Sequence, residues 1–171
     1  MDGVQSHAPG FTLTAGDMPG ALTIMRESAQ WLRDSGRPMW SPDELTPEAM
    51  ASPPESYLVL RDGAGEGAAA LCLTDADPLY WPENPPGQCG YVHKLAVRRA
   101  FAGRGLARAL LLDAAGLARS RGLSALCLDC DPSRAALVRL YESTGFRLSR
   151  RQFFQRPYTG GIELALYRME L

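Results

Sequence analysis

Residues 95–108 read LAVRRAFAGRGLAR, and this stretch decides the interpretation of the whole chain. An apolar run ends at Val97, a turn with Gly103 and Gly105 follows, and apolar residues at helical spacing begin at Leu106. Free main-chain N–H groups at the start of a helix, together with the positive end of its dipole, form a ready anion site. The sequence therefore predicts a strand, an anion-binding turn and a helix in succession.

The same stretch holds four arginines with no acid among them: Arg98, Arg99, Arg104 and Arg108. Because the whole chain has 18 basic and 19 acidic residues, this local excess favours a polyphosphate ligand. A P-loop is excluded because there is no GK[ST], and a dinucleotide fingerprint is disfavoured because Arg108 replaces its third glycine. The alternative, in which the glycines only turn the chain and the arginines are solvated, stays open at this point.

The 171 residues predict a single domain, 1–171, with residues 1–10 as a flexible amino-terminal tail. Hydrophobic residues make up 46% and charged residues 22%, which is an ordinary globular mixture. The net charge of -1 argues against a nucleic-acid or membrane-surface binder, which normally carries a basic excess. No apolar stretch approaches the ~20 residues that span a bilayer, and no signal-peptide pattern is present, so we expect a cytoplasmic protein.

Four cysteines fit that compartment as free thiols. Cys127 and Cys130 form a CxxC pair, but they lie in a predicted strand, where residues three apart face opposite sides. Such a pair cannot close on one metal ion, and the sequence has no second CxxC. We therefore predict that the protein has no metal site.

Apolar periodicity and turn residues predict a β-α-β-β-β-α-β-α-β-β order. The predicted strands are 11–14, 57–61, 68–74, 89–97, 124–130, 146–154 and 163–171. The predicted helices are 21–33, 105–120 and 133–143, the last with Ser133 as its cap. Two crossings over a helix favour an α/β (α+β) fold with a mixed sheet that is parallel at least at its centre.

Residues 102–107, AGRGLA, resemble the acyl-CoA diphosphate signature R/Q-x-x-G-x-G/A of the GNAT acetyltransferase superfamily, with Ala102 in place of the usual Arg or Gln. The resemblance implies six diphosphate-binding residues: Gly103, Arg104, Gly105, Leu106, Ala107 and Arg108. It implies three residues that pair with pantetheine at the end of the preceding strand: Leu95, Ala96 and Val97.

Residues 137–146, LVRLYESTGF, resemble the LYxxxGF turn of the same superfamily. Tyr141 matches the tyrosine that faces the coenzyme sulfur and acts as general acid. Arg134 stands at the position of the usual Asn, seven residues earlier, where the resemblance places it near the cofactor. The order of elements also matches the superfamily, which implies a single-domain fold with a mixed sheet of about seven strands flanked by helices.

The segment around His93 is similar to serotonin N-acetyltransferases, whose paired histidines relay protons. His93 matches the second of that pair, and Tyr91 stands in place of the first. Because side chains alternate along a strand, His93 is expected on the face that carries Leu95 and Val97. Freeing a lysine-like amine at pH 7 costs about 4.6 kcal/mol, so a histidine base with a pKa near 6.5 suits this chemistry. A strand histidine that only bonds to a neighbour is the open alternative.

The resemblance implies an acyl-CoA-dependent N-acetyltransferase that uses acetyl-CoA as cosubstrate, without a metal. The expected acceptor is a primary amine of a small molecule, which attacks directly in a ternary complex. Three aromatic residues are candidates for its pocket, or else cap the core: Trp40, Tyr80 and Trp81. One alternative is a protein or peptide N-acetyltransferase. The other is a non-catalytic acyl-CoA sensor module, and Ala102 and Arg134 favour this second alternative. We expect no nucleic-acid or membrane partner, and the resemblance allows a homodimer.

Overall fold

The computed structural model describes residues 4–156 and 160–171, which form a mixed eight-stranded sheet and four α-helices. The strands are β1 (Val4–Gln5), β2 (Thr12–Ala15), β3 (Tyr57–Arg61), β4 (Gly67–Thr74), β5 (Cys89–Val97), β6 (Ala125–Cys130), β7 (Arg147–Arg156) and β8 (Gly160–Glu170). The helices are α1 (Met18–Asp34), α2 (Pro47–Met50), α3 (Leu106–Ser120) and α4 (Ala135–Thr144). Short 3₁₀ turns cover Pro42–Glu44, Pro54–Ser56 and Arg99–Phe101. The strand order is β1-β2-β3-β4-β5-β6-β8-β7.

The chain divides into two compact units. The first comprises Met1–Thr74 with His93–Ala114, and the second comprises Asp75–Val92 with Ala115–Leu171. The predicted mixed sheet is confirmed, because β5 pairs with β6 in parallel and β6 pairs with β8 in antiparallel fashion. None of the helices in the described residues is long and apolar enough to cross a bilayer.

In the first unit, β2, β3 and β4 form an antiparallel meander against which α1 packs. The buried face of α1 follows helical spacing, with Leu22, Met25 and Ala29 in the core cluster. The helix starts three residues before the predicted boundary, because the side chain of Asp17 accepts a hydrogen bond of 3.0 Å from the N–H of Gly20. Proline in the first turn is compatible with this start.

Within the predicted flexible tail, residues 1–10, the described residues from Val4 to His7 have defined contacts in the first unit. Strand β1 pairs with β2, and Ser6 Oγ donates to Asp113 Oδ2 at 2.5 Å. The main-chain N–H of His7 donates to the other carboxylate oxygen at 2.9 Å. The carboxylate of Asp113 is buried on α3 and needs donors, which explains the order of residues 4–8. Residues 1–3 lie outside the described part of the chain.

In the second unit, β6, β8 and β7 form antiparallel pairs, and β7 and β8 are longer than predicted. The core cluster here includes Trp81, Tyr91, Cys127 and Leu166. The prediction of Ser133 as the cap of α4 is wrong. Its N–H and Oγ both donate to Asp131 Oδ1, at 2.9 and 2.7 Å, and Arg134 takes the N-cap position without a side-chain cap bond. A local Asx-type turn has replaced the cap.

Candidate active site

The segment after β5 in the first unit, together with the first residues of α3, covers residues 98–108, and we call it the diphosphate loop after the family resemblance. Strand β5 ends at Val97, a 3₁₀ turn covers Arg99–Phe101, and α3 begins at Leu106. Gly103 and Gly105 have φ values of +78° and +72°, a conformation that other residues adopt only with strain. A Cβ atom at either glycine would meet nothing within 4 Å, so the space in front of the loop is open.

The loop presents a row of unsatisfied main-chain donors. The first helical hydrogen bond runs from the N–H of Ala109 to the carbonyl of Gly105, at 3.1 Å. The preceding N–H groups have no acceptor among the described residues: those of Gly103, Arg104, Gly105, Leu106, Ala107 and Arg108. These donors lie at the positive end of the α3 dipole, and anions bind at such helix starts. The structure therefore has the row of free N–H groups that the predicted anion site requires.

The four arginines of the loop differ in their surroundings. The guanidinium of Arg98 is paired with Glu27 and Glu66. In contrast, Arg99 lies over the Trp31 ring at 4.6 Å and Arg104 over the Phe101 ring at 5.1 Å. Arg108 is exposed. Within the described part of the chain, these last three arginines form no ion pair with a carboxylate: Arg99, Arg104 and Arg108. Their charges stay available to an anion.

Strand β5 carries His93 at half-buried depth, next to an irregularity. The imidazole Nε2 of His93 lies 3.1 Å from Thr74 Oγ1, a hydrogen bond whose direction depends on the tautomer. The next residue, Lys94, has a φ of +56°, which is left-handed and rare for a residue with a side chain. A left-handed residue interrupts the alternation of side chains, so the prediction that His93 shares a face with Leu95 and Val97 does not carry past Lys94.

The side chain of Lys94 contacts the segment after α1, where the sequence places the first acceptor-pocket candidate. Its ammonium lies 5.3 Å from the centre of the Trp40 ring and 3.2 Å from Glu44 Oε1. Trp40 is half-buried and packs on the core cluster of the first unit. The structure thus brings Trp40 together with the residue that follows His93, and the sequence analysis did not single out Lys94.

Tyr141 lies in the second unit, on α4, and is only 6% exposed. Its ring packs against Phe146 and Tyr167, at centroid distances of 6.1 and 6.2 Å. No residue in the described ranges forms a hydrogen bond with its hydroxyl. Burial, and secondarily Cys130 and Asp129, raise the pKa of Tyr141, so the hydroxyl keeps its proton at neutral pH. This state is the one required of a proton donor.

Arg134 precedes α4 at the N-cap position, and its guanidinium is 3.9 Å from Asp131 Oδ2. Hydrogen bonds from Ser133 are the main cause of the lowered pKa of Asp131, and the charge of Arg134 lowers this pKa further. Burial of the carboxylate has the opposite, smaller effect. The charge of Arg134 is thus partly compensated by a carboxylate. That pairing reduces the electrostatic attraction that the predicted cofactor role of Arg134 would use.

The aromatic pair Tyr80 and Trp81 belongs to the second unit. Trp81 is 3% exposed, joins the core cluster and packs against Tyr91. The guanidinium of Arg150 lies 5.0 Å from the Trp81 ring centre. The prediction that Trp81 lines an acceptor pocket is therefore not matched by its environment, because its indole is enclosed by the core. Tyr80 stays half-buried, with its ring 4.8 Å from that of Phe154.

All four cysteines are free and buried. Burial raises the pKa of Cys127 and of Cys130 to about 12. Cys89 lies next to Arg168, whose Nη1 is 3.3 Å from its sulfur, and it has no exposed surface. A covalent acyl-cysteine needs an accessible thiolate, so this environment argues against one at Cys89.

Comparison with known proteins decides the family. The model of the acetyltransferase (GNAT) family matches residues 25–146. The chain belongs to the GNAT acetyltransferase family. The matched range includes β5, the diphosphate loop, α3 and Tyr141.

Relatives of this GNAT chain carry acetyltransferase names. A mycothiol acetyltransferase of Thermomonospora curvata is 31% identical over 145 residues, which are 75% of this chain and 45% of that protein. The chain thus spans less than half of the length of that relative. A GNAT-family acetyltransferase of Listeria monocytogenes has a TM-score of 0.75 and 21% identity, with 99% and 100% of the two chains covered. The Escherichia coli ribosomal-protein-S18-alanine N-acetyltransferase has a TM-score of 0.67 and 23% identity, with 94% and 93% covered. Both structural likenesses show the fold.

Proposed function

We propose that this chain transfers the acetyl group of acetyl-CoA to the primary amine of a small molecule, by direct attack in a ternary complex. The observation that carries the proposal is the row of unpaired N–H groups at the start of α3. A diphosphate presents several oxygen acceptors and a negative charge, which match those donors and the free charges of Arg104 and Arg108. Acetyl-CoA would contribute the activated acyl group, as a thioester.

The residues of the loop fit the proposed ligand. The space before Gly103 and Gly105 is open, so the backbone can approach the diphosphate closely. Arg104 and Arg108 are exposed and add charge at the same place. We assign the pantetheine contact to the end of β5, at Leu95, Ala96 and Val97, and this assignment is supported by the family resemblance.

His93 is assigned the role of base that takes the proton of the attacking amine, directly or through a water. The nitrogen can attack only when it is neutral, and for an alkylamine this state costs about 4.6 kcal/mol at pH 7. The hydrogen bond between Nε2 and Thr74 limits the orientation of the imidazole ring. A fixed orientation favours proton transfer from an amine held at one place.

Tyr141 is assigned the role of acid that donates its hydroxyl proton to the departing sulfur. As the nitrogen forms its bond to the acyl carbon, the bond from that carbon to sulfur breaks and the electron pair stays on sulfur. A free thiol has a pKa of about 8.5, and Tyr141 is protonated at any pH where the enzyme would act. Solvent then returns a proton to the tyrosine.

A small-molecule acceptor is supported by the name of the Thermomonospora relative, which refers to mycothiol and not to a protein. A non-catalytic acyl-CoA sensor is the second candidate, and the observation that favours it is Ala102, where the family signature has Arg or Gln. A sensor would keep the diphosphate loop and lose turnover. The two readings therefore differ in thiol release and not in coenzyme binding.

The test is a screen of the purified chain with acetyl-CoA and a panel of small primary amines and short peptides, with released thiol as the readout. His93→Ala is assayed in parallel, and His7→Asn is the matched control because it removes the other imidazole and keeps a side-chain donor beside Asp113. Thiol release with small amines that His93→Ala abolishes and His7→Asn retains would support the proposal. Release with peptides alone would assign a peptide acceptor. Coenzyme binding without release would indicate a sensor, and absence of binding would overturn the assignment altogether.

A further inference from the structure

Arg98 is the one arginine of the diphosphate loop that is held by carboxylates in the described part of the chain. Its Nε and Nη2 donate to the two oxygens of Glu27, at 2.5 and 2.6 Å. Its Nη1 donates to Glu66 Oε1 at 3.0 Å and to the carbonyl of Gly67 at 3.1 Å. Two carboxylates and a carbonyl thus surround the guanidinium of Arg98, whose side chain is 23% exposed.

The charge of Arg98 is more than compensated by these partners. One guanidinium faces two carboxylates, so the cluster of Arg98, Glu27 and Glu66 carries a net negative charge. The hydrogen bond with Arg98 is the main cause of a lowered pKa of Glu27, and the same bond raises the pKa of Arg98. Such a cluster repels a diphosphate, although the sequence places Arg98 within the basic loop.

The main chain at this point is held as well. The N–H of Arg98 donates to the carbonyl of Ala68 on β4, at 2.9 Å, and its own carbonyl accepts from the N–H of Phe101. Ser28 Oγ, on α1, donates to the carbonyl of Val97 at 3.3 Å. Consecutive residues of α1, Glu27 and Ser28, therefore hold the point where the strand becomes the loop.

We propose that Arg98, through its bidentate pairing with Glu27, is a positioning residue that fixes the start of the diphosphate loop and does not itself contact the diphosphate. The inference rests on the proposed function. The loop that follows has two glycines in left-handed conformations and would be mobile without a fixed beginning. Donors must be held within about 0.5 Å of their productive positions to bind an anion well, so the fixed start determines affinity.

Two single variants separate positioning from attraction, because the two roles predict different effects of each variant on CoA binding. Glu27→Gln keeps the size of the side chain and removes its charge. Arg98→Lys keeps the positive charge and loses the bidentate hydrogen bonds to Glu27. If Arg98 attracts the diphosphate, Glu27→Gln tightens CoA binding and Arg98→Lys leaves it unchanged. If Arg98 positions the loop, both variants weaken CoA binding. Glu55→Gln, an exposed glutamate outside these contacts, controls for the change in net charge.

The experiment measures the dissociation constant of CoA by titration calorimetry, together with kcat at saturating acetyl-CoA and the melting temperature. We expect each single variant to weaken CoA binding at least about fivefold. The double variant should bind CoA no more weakly than the single variant with the lower affinity, because both changes break the same contact. At saturating acetyl-CoA, kcat should change less than about twofold. Equal affinity of wild type and both variants, or tighter binding by Glu27→Gln, would overturn the positioning role. Wild-type protein that does not bind CoA at all would instead overturn the proposed function.

Discussion

Replacing Gly105 with alanine tests the anion site at its most sensitive point. Gly105 has a φ of +72° at the start of α3, and a Cβ there would meet no atom within 4 Å. The substitution therefore adds no clash, and its effect comes from the left-handed backbone alone. That conformation costs a residue with a side chain about 1–2 kcal/mol. For a chain of this length, the melting temperature should fall by roughly 2–8 °C.

The larger effect is expected on the ligand. The strained peptide can relax by turning, and a turned peptide withdraws its N–H from the diphosphate. A hydrogen bond to a charged group is worth about 1.5–3 kcal/mol, which corresponds to a loss of roughly 10- to 150-fold in affinity. We expect Gly105→Ala to weaken CoA binding by that factor and to leave pantetheine, which lacks the diphosphate, nearly unaffected.

The matched control is Gly122→Ala, just beyond the other end of α3. Gly122 has a φ of +76° and equally open surroundings. Gly122→Ala should therefore lower the melting temperature by a similar amount without changing CoA binding. Titration calorimetry with CoA and with pantetheine, on both variants, gives the comparison. Unchanged CoA affinity in Gly105→Ala, with both melting temperatures lowered, would show that these N–H groups do not bind the diphosphate.

Other variants address the remaining assignments. Tyr141→Phe should lower kcat at least about tenfold and change the CoA affinity less than about twofold, because only the proton donor is lost. Stopped-flow measurement of thiol release gives kcat, and an unchanged kcat would remove Tyr141 from the mechanism. His93→Ala should impair turnover more with alkylamines than with α-amines of pKa near 8, as ratios of kcat/KM will show; an equal loss would contradict a base role. A hydrogen bond with Arg98 lowers the pKa of the Glu27 carboxyl in the folded protein. The pair therefore contributes its full stabilisation at pH values above the pKa of the unfolded state, about 4.3. This stabilisation is lost as the pH falls through the lower pKa of the folded state. The difference in melting temperature between wild type and Glu27→Gln should therefore shrink under acid conditions, and a constant difference would argue against the pair.

Much of the fold was predictable because its signals are local. Strand β5, the two glycines and the start of α3 follow from apolar runs and turn residues within a short stretch. Strand β3 has the predicted bounds, and the parallel pairing of β5 with β6 agrees with the crossing over a helix. In contrast, β1 has only two residues, too few to show a period, and it is formed by pairing with β2.

The site shows the same division between local and distant causes. The row of unpaired N–H groups was predictable, since such groups are a property of any helix start. The contacts of Lys94 with Glu44 and Trp40 were not predictable, because these residues lie some fifty positions away in the sequence. From the sequence, Trp81 could line an acceptor pocket or cap the core, and only the packed structure shows that it is buried in the core.

The sequence by itself predicted most of the strands and helices in their order, the glycine turn before α3 and the resemblance to the family. Only the tertiary structure decided which charges of that turn remain free. Arg98 and Arg108 are alike in the sequence, but Glu27 and Glu66 pair with the first, and no carboxylate in the described part of the chain pairs with the second. Side-chain charge is a property of one residue, whereas its compensation depends on distances between residues far apart in the chain, and folding alone establishes those distances.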